Sequence, residues 1–211
     1  MKRLTHYIKC TAKIKLLSGM LVGGQKEGIG IGGIDNPVIR NPVTNVPYLP
    51  GSTLKGRFRM ALELKYKDTN KETNGEGPST DLGNNSLVVK MFGSGSPKNI
   101  SEPTRCIFRD CYLSKGFEDY QLMEEKTEVK MDRYKLNAMK GGNRTSERIP
   151  EGAQFDFEVM IRILEDDKED DFKSRLKEAI HIIQLEYLGG SGTRGYGKVE
   201  FEDIQYEKIN L

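Results

Sequence analysis

A glycine-rich run near the end of the chain constrains the fold more than any other segment. Residues 188–198 read LGGSGTRGYGK, with five glycines between positions 189 and 197. Apolar residues at helical spacing precede this run, and an alternating, strand-like segment follows it. Because glycine lacks a Cβ atom, the run predicts a tight helix-to-strand connection that a polyanion can approach closely. The residues of this run that we expect to contact such a partner are Gly190, Gly192, Arg194 and Lys198; a plain tight connection is the alternative.

Three nucleotide-binding motifs are near matches and are rejected. Residues 190–195 and 28–33 both fit G-x-G-x-x-G, but the dinucleotide fingerprint needs a strand before the glycines and a helix after them. The first match has the reverse order, and the second runs into Asp35-Asn36-Pro37, which does not begin a helix smoothly. A P-loop would need Ser or Thr where Val199 stands.

Composition and charge favour one domain with a polyanionic partner. The chain has 211 residues, is 36% hydrophobic and carries a net charge of +2, which is enough for one domain with a core. Residues 1–66 hold eleven Lys and Arg against three Asp and Glu. This basic excess suits a polyanion, although a surface that only keeps the chain in solution explains it equally well.

Nothing in the sequence indicates a membrane span, a leader or a disulfide framework. No window approaches the ~20 apolar residues of a span, and the first residues lack the apolar core of a signal peptide. Cys10, Cys106 and Cys111 form neither an even disulfide set nor a metal-ligand pair. We therefore expect a cytoplasmic protein with reduced thiols and no membrane partner.

The periodicities along the chain predict an α+β fold. Strands are expected at 8–16, 106–113, 155–163 and 199–204, and helices at 52–64 and 172–187. The order is βαββαβ, that of ferredoxin-like, RNA-recognition folds. On this single domain, residues 1–211, we place insertions at about 18–51 and 67–101. A long thumb-like β-hairpin is expected at about 126–150, with its turn at Lys140–Arg144.

Basic residues fall in the first helix and in the hairpin. Ser52 is a candidate N-cap, and the free N–H groups of a helix start can bind phosphate. The hairpin interleaves basic and apolar residues, an arrangement that can wedge between bases while pairing with phosphates. Solvated surfaces are the alternative in both places. The predicted RNA-binding residues of these two segments are Ser52, Lys55, Arg57, Arg59, Arg133, Lys135 and Arg144.

Asp35 is a candidate catalytic residue. It lies in a loop that Gly33 makes pliable and Pro37 stiffens. A carboxylate beside an RNA phosphate is repelled unless it recruits a cation or accepts a proton, and either would serve strand cleavage. A turn-forming aspartate is the ordinary alternative. His181 is expected to pack among apolar neighbours, so the chain has few histidine bases.

Three ordered motifs resemble a known family. They are Gly23-Gly24 followed by residues 33–40 (GIDNPVIR), residues 49–56 (LPGSTLKG) and the run at 188–197. Together they resemble the repeat-associated mysterious protein (RAMP) superfamily, in particular the backbone subunits of type III-A (Csm) CRISPR interference complexes, over nearly the whole chain. Met20-Leu21-Val22 stands where some relatives carry a guide-binding histidine.

The resemblance implies copies stacked head to tail along a guide RNA, beside other subunits of the effector complex. It implies that each copy cuts the complementary target RNA once, with Asp35 at the position of the family's catalytic aspartate. A divalent metal, Mg²⁺ above all, would be required, and Asp35 is a candidate ligand for it. A non-catalytic RNA-coating scaffold and a guide-processing endoribonuclease of the same superfamily remain the alternatives.

Overall fold

The computed structural model of the chain describes residues 2–24, 34–66, 87–94, 102–117 and 123–211. Parts of the two predicted insertions, including Gly33 and residues 67–86 and 95–101, lie outside these ranges. The strands are β1 (Leu4–Leu16), β2 (Tyr48–Leu49), β3 (Cys106–Phe108), β4 (Cys111–Tyr112), β5 (Glu124–Asp132), β6 (Asn137–Arg148), β7 (Gln154–Leu164) and β8 (Val199–Asn210), and the helices are α1 (Gly51–Tyr66), α2 (Leu87–Phe92) and α3 (Glu169–Leu185).

The main sheet has four antiparallel strands in the order β3-β7-β1-β8. In β1, Cys10 faces Val159 of β7 on one side and Tyr206 of β8 on the other. Helices α1 and α3 pack against each other, and their buried residues join those of the sheet in one core. With the first and third core strands in the centre and the second and fourth outside, this is the ferredoxin-like arrangement. The predicted α+β, ferredoxin-like fold is confirmed.

The core lies between the helices and one face of the sheet. Every second residue of β1 from Ile8 to Leu16 is buried, as its alternating pattern predicts. Phe58 of α1 stacks on Phe157 of β7 with ring centroids 5.5 Å apart, and Phe201 of β8 meets Phe157 edge-on at 5.5 Å. Burial of each such ring contributes about 1.5–3 kcal/mol, so these aromatic contacts fix α1 over the centre of the sheet.

The opposite face of the sheet carries ion pairs between neighbouring strands. Lys9 pairs with Glu158 and Lys15 with Glu202, each at 3.3 Å, and Lys13 pairs with Asp156. Burial opposes ionisation of Asp156, but the hydrogen bonds from Lys13 and Ser114 outweigh it and lower its pKa. The lysines that make β1 look basic in sequence are therefore neutralised by acids on neighbouring strands.

Several predicted boundaries differ from the structure. The strand expected at 106–113 is two strands, because β4 leaves the main sheet and pairs with β2. Helix α1 begins at Gly51, whose N–H donates to Oδ1 of Asp110 at 2.7 Å, so Ser52 is not its N-cap. Helix α3 ends at Leu185, short of the predicted position 187.

The hairpin of β5 and β6 is present, but its turn is not at Lys140–Arg144. The chain reverses at 133–136, where Oδ1 of Asp132 accepts the N–H groups of Tyr134 and Lys135. Residues 139–142 instead form a wide bulge: Val129 faces Asn143, whereas Met131 faces Ala138. Gly141, with φ of 71°, lies within this bulge.

The structure also bears on the cysteines, on His181 and on membrane-spanning helices. The three cysteines are buried and free. His181 is exposed on α3, so the prediction that it packs in the core is wrong. None of the helices in the described ranges has the length and apolar character needed to cross a membrane.

Candidate functional site

The segment that carries Asp35 is bound to strand β6 at the base of the hairpin. The N–H of Asp35 donates to the carbonyl of Thr145, and the N–H of Thr145 donates to Oδ2 of Asp35, both at 2.9 Å. Next along the chain, the N–H of Glu147 donates to the carbonyl of Asn36 at 3.0 Å. The Asp35 carboxylate is therefore held half-buried at a defined position beside the hairpin.

A short stretch, Met20–Gly24, joins the Asp35 segment to the glycine run. Met20 exchanges two 2.8 Å backbone hydrogen bonds with Ile149, just beyond β6. The N–H of Gly24 donates to the carbonyl of Pro37, and that of Ile39 to Val22, both at 2.9 Å. On the other side, the N–H of Gly190 donates to the carbonyl of Leu21 at 2.8 Å. The double glycine, the Asp35 segment and the glycine run thus meet at one place.

Most glycines of the C-terminal run are required by the fold itself. Gly189 has φ of 85°, and a Cβ there would lie 2.5 Å from the carbonyl oxygen of Leu21. At Gly197, with φ of 70°, it would lie 1.9 Å from the carbonyl oxygen of Leu188. At Gly192, it would lie 1.9 Å from Cγ of Tyr187. Close internal packing therefore explains Gly192 without RNA, whereas Gly190 is exposed and remains available to a ligand.

Glu128 of β5 connects the glycine run to the hairpin. Its Oε2 accepts a hydrogen bond from Arg194 at 2.6 Å, and its Oε1 accepts one from the hydroxyl of Tyr196 at 3.0 Å. The charged groups of Lys126 and Arg148 lie over the Tyr196 ring, at 4.5 and 4.7 Å from its centroid. Burial, and then the bond to Glu128, raises the pKa of Tyr196. Arg194, predicted to bind RNA, therefore has an acidic partner in the free chain.

The basic residues of α1 divide into internal and outward-facing groups. Arg57 is buried: its Nε donates to the carbonyl of Tyr187 at 2.8 Å, and its Nη2 pairs with Glu186. Arg59 pairs with Glu63 at 2.6 Å and donates to the carbonyl of Gly93 at 2.8 Å.

In the free chain, Arg57 and Arg59 therefore make internal contacts, and the phosphate contacts expected for them stay predictions. Both have acidic partners, and that of Arg57, Glu186, directly follows the end of α3, so spacing along α1 gives no signal for it. Lys55, by contrast, is half-buried, and Ser52 is exposed near the start of α1. Lys55 and Ser52 therefore remain accessible to a phosphate group at the start of α1.

The hairpin projects exposed basic and apolar side chains. Within the turn at 133–136, Tyr134 is fully exposed and Leu136 is 81% exposed. Arg133, Lys135 and Arg144 are also exposed. A cavity of about 580 Å³ opens between the bulge and the glycine run, with Lys130, Arg144 and Arg194 in its lining. Apolar groups at the tip and cations along one side fit a nucleic-acid strand better than a protein core.

Asp35 is the candidate metal ligand of this site. Within the described ranges, no three His, Cys, Asp or Glu side chains lie close enough together to hold an ion. Oδ2 of Asp35 is bonded to Thr145, and no described residue donates to its Oδ1. One free carboxylate oxygen fits Mg²⁺, which is commonly bound by one or two carboxylates together with substrate phosphates. His6 lies elsewhere, 3.0 Å from Glu169 at the start of α3.

Comparisons with known proteins agree with the geometry. The RAMP superfamily profile matches residues 13–200. The Methanocaldococcus jannaschii protein named CRISPR system Cms endoribonuclease Csm3 is 43% identical over 195 residues, covering 91% of this chain and 77% of that protein. The Streptococcus thermophilus protein of the same name is 38% identical over 206 residues, covering 94% and 88%.

Solved structures show the same likeness. A Csm3–Csm4 subcomplex of a type III-A CRISPR-Cas interference complex matches with 31% identity and a TM-score of 0.58, covering 99% of this chain and 82% of that one. A type III-B Cmr-beta complex bound to cognate target RNA matches with 19% identity and a TM-score of 0.66, covering 97% and 61%, which is a likeness of fold alone.

Proposed function

Because this chain belongs to the RAMP superfamily, we propose that it is a guide-RNA-binding backbone subunit of a type III-A CRISPR interference complex. In that complex it is the endoribonuclease that cleaves complementary target RNA at regular intervals. Its partners are the guide RNA, the target RNA, further copies of itself stacked head to tail, and other subunits of the complex. Relatives 43% and 38% identical that are named as endoribonucleases support this proposal.

The observation that carries the catalytic part is the position of Asp35. Its carboxylate is bonded through Oδ2 to the base of the hairpin, while Oδ1 has no donor among the described residues. A hairpin inserted into a guide–target duplex would interrupt base stacking beside its own base. The bond that is cut would then be the one presented to Asp35.

The proposed reaction is attack by the 2′-oxygen of the target RNA on the adjacent phosphorus. The bond from phosphorus to the 5′-oxygen breaks, the leaving 5′-oxygen takes up a proton from water, and the products are a cyclic phosphate and a 5′-hydroxyl end. Asp35 either accepts the proton of the 2′-hydroxyl or holds the divalent ion; both roles use its free oxygen. Mg²⁺, when bound, would stabilise the negative charge that develops on the phosphate.

The RNA-binding part uses the outward-facing cations. Lys55 near the start of α1, Lys198 after the glycine run and Arg144 on β6 would contact phosphates, and the exposed hydroxyl of Ser52 would donate a hydrogen bond to one. Arg133 and Lys135 flank the exposed tip of the hairpin and would follow the strand that it displaces. The protein would act in the cytoplasm, and its three buried free thiols fit a reducing compartment.

The test compares Asp35→Asn with the wild type in a guide-loaded complex, with end-labelled complementary RNA and either Mg²⁺ or a chelator. Asparagine keeps an acceptor for the Thr145 N–H and removes the charge. We expect a Mg²⁺-dependent ladder of products that falls by about 10²-fold or more in the variant, with target binding unchanged.

The matched control is Asp166→Asn. Its side chain is 68% exposed in the turn between β7 and α3, where it pairs with Lys2, and we expect full cleavage. Wild-type cleavage by Asp35→Asn would contradict the catalytic proposal and favour the scaffold alternative. Cleavage of guide precursor by the isolated chain without metal would instead favour the processing alternative.

A further inference from the structure

Glu147 of β6 is a buried acid that links the hairpin base to the segment of Asp35. Only 6% of its side chain is exposed. Its Oε2 accepts the N–H of Val38 at 2.8 Å, and its Oε1 accepts a charge-assisted hydrogen bond from Arg40. A buried carboxylate persists where it is paired and hydrogen-bonded, and both conditions are met here.

The position of Glu147 explains why a side chain is needed there. The Asp35 segment runs alongside β6 as a parallel pair as far as the bond from Glu147 N–H to the Asn36 carbonyl. Two residues later the chain changes partner, and Ile149 pairs with Met20 instead. The next donor of the segment, the N–H of buried Val38, is therefore left without a backbone acceptor on this strand. The Glu147 carboxylate takes that place.

Pro37 makes this contact more important. A proline has no N–H, so the segment from Asn36 to Val38 offers one backbone donor fewer to its neighbours. Val38 is 4% exposed, and a buried N–H must find a partner. The two hydrogen bonds of Asp35 with Thr145 and the Glu147 carboxylate hold the segment at both ends. Loss of the Glu147 carboxylate would leave the buried N–H of Val38 without its acceptor and loosen this end of the segment, although the bond from the Glu147 N–H to the Asn36 carbonyl would remain.

We infer that Glu147 is a positioning residue for the Asp35 carboxylate, acting through Val38 and Arg40. This inference rests on the proposed function, because a position matters for rate only if Asp35 acts on the RNA. A displacement of about 1 Å at a catalytic group is enough to lower a rate by about 10²-fold. Binding of guide and target depends on the cations listed above and is expected to be insensitive to Glu147.

The experiment compares Glu147→Ala, Glu147→Gln and Glu125→Ala in the guide-loaded complex. Glu125 is the matched control, because it faces Glu147 across the hairpin and is exposed. We expect Glu147→Ala to lower the single-turnover cleavage rate by about tenfold or more while target affinity stays within about twofold. Glu147→Gln keeps an acceptor for Val38 and should recover most of the rate, and Glu125→Ala should match the wild type.

A second readout does not depend on activity. In the isolated chain, amide hydrogen exchange of a peptide covering 34–40 should accelerate in Glu147→Ala and stay unchanged in Glu125→Ala. Wild-type cleavage, or unchanged exchange in Glu147→Ala, would overturn the inference. If Glu147→Ala does not fold, Glu147→Asp replaces it, since its carboxylate is withdrawn by one methylene, and the same two readouts decide.

The two proposals fail in different ways. If Asp35→Asn cleaves like the wild type, the catalytic proposal fails, whatever the Glu147 variants do. If Asp35→Asn is inactive while Glu147→Ala cleaves normally, the proposed function stands and the role of Glu147 is refuted.

Discussion

Arg194 and Tyr196 donate hydrogen bonds to the two oxygens of one carboxylate, that of Glu128, at 2.6 and 3.0 Å. Arg194 and Tyr196 belong to the glycine run, and Glu128 belongs to the hairpin. These two bonds therefore couple the orientation of the hairpin to the glycine run. The same carboxylate also competes with RNA phosphates for the charge of Arg194.

Glu128→Ala is expected to raise affinity for single-stranded RNA at low salt by about two- to fivefold, since a partly exposed pair is worth about 0.5–1 kcal/mol. The variant frees Arg194 and removes a negative charge beside Arg144. Fluorescence anisotropy with labelled RNA measures the change. Glu125→Ala, which removes the same charge from the same strand, is the control; an equal gain in both would mean that net charge alone is responsible.

Arg57→Met should lower the stability of the fold. The carbonyl of Tyr187 would lose its donor and Glu186 its partner, at a cost of about 1–2 kcal/mol in the free energy of unfolding. Urea denaturation measures it. Arg133→Met on the exposed hairpin turn should stay within about 0.5 kcal/mol of the wild type; a similar loss in both variants would refute a specific structural role for Arg57.

Lys55→Ala should weaken RNA binding without lowering stability. Removal of one phosphate contact makes the slope of log K against log salt concentration less steep by about one. Titrations at several salt concentrations give this slope. An unchanged slope would show that the phosphate site predicted at the start of α1 is not used by Lys55.

The order of the core strands and helices could be predicted because each long element shows its own hydrophobic periodicity in the sequence. The alternation of β1 and β7 and the apolar spacing of α3 are visible without any knowledge of neighbours. Strands β3 and β4 have three and two residues, too few for a pattern, and their separation depends on pairing with β7 and β2. In the hairpin, the glycines favour a turn at Lys140–Arg144, whereas the observed turn follows Asp132, whose carboxylate accepts its N–H groups.

The candidate site could be predicted in its parts but not in its contacts. Asp35 and the glycine run stand out by residue type alone. The partners Thr145 and Glu147 are more than a hundred residues away from that segment, and no local pattern marks them. The internal partners of Arg57, Glu186 and Tyr187, belong to the other end of the chain and are hidden from sequence reasoning for the same reason.

Gly197→Ala should destabilise the fold by more than about 2 kcal/mol, because the added Cβ would collide with the Leu188 carbonyl at a positive φ. Gly195→Ala is the matched control: its φ is also positive, at 84°, but nothing lies within 4 Å of the added atom. It should cost about 1–2 kcal/mol from backbone strain alone. Thermal denaturation of both variants tests the difference, and equal losses would contradict it.

The buried cysteines predict a loss of stability at high pH. Burial raises the pKa of Cys10 to about 11, and that of Cys106 and of Cys111 to about 12, from the ordinary value of 9.0. The folded state thus favours the protonated thiols. Their contribution to stability is complete below pH 9 and is lost as the pH rises towards 11–12.

Urea denaturation between pH 8 and 10.5 tests this, with Cys106→Ala expected to lose less stability over that interval than the wild type. At pH 8 a thiol reagent should modify none of the three until the chain is unfolded. Rapid modification of the folded protein would show that the thiols are accessible.

The wide bulge at 139–142 separates the exposed tip of the hairpin from its regularly paired base. Four residues of β6 stand opposite Lys130 alone, while the pairing from Val129 with Asn143 down to Glu124 with Arg148 is regular. An insertion or deletion within 139–142 would shift the exposed tip and leave the pairing of Asp35 with Thr145 intact. The distance from the hairpin tip to the Asp35 carboxylate can therefore change while β5 and β6 keep their register beside Asp35.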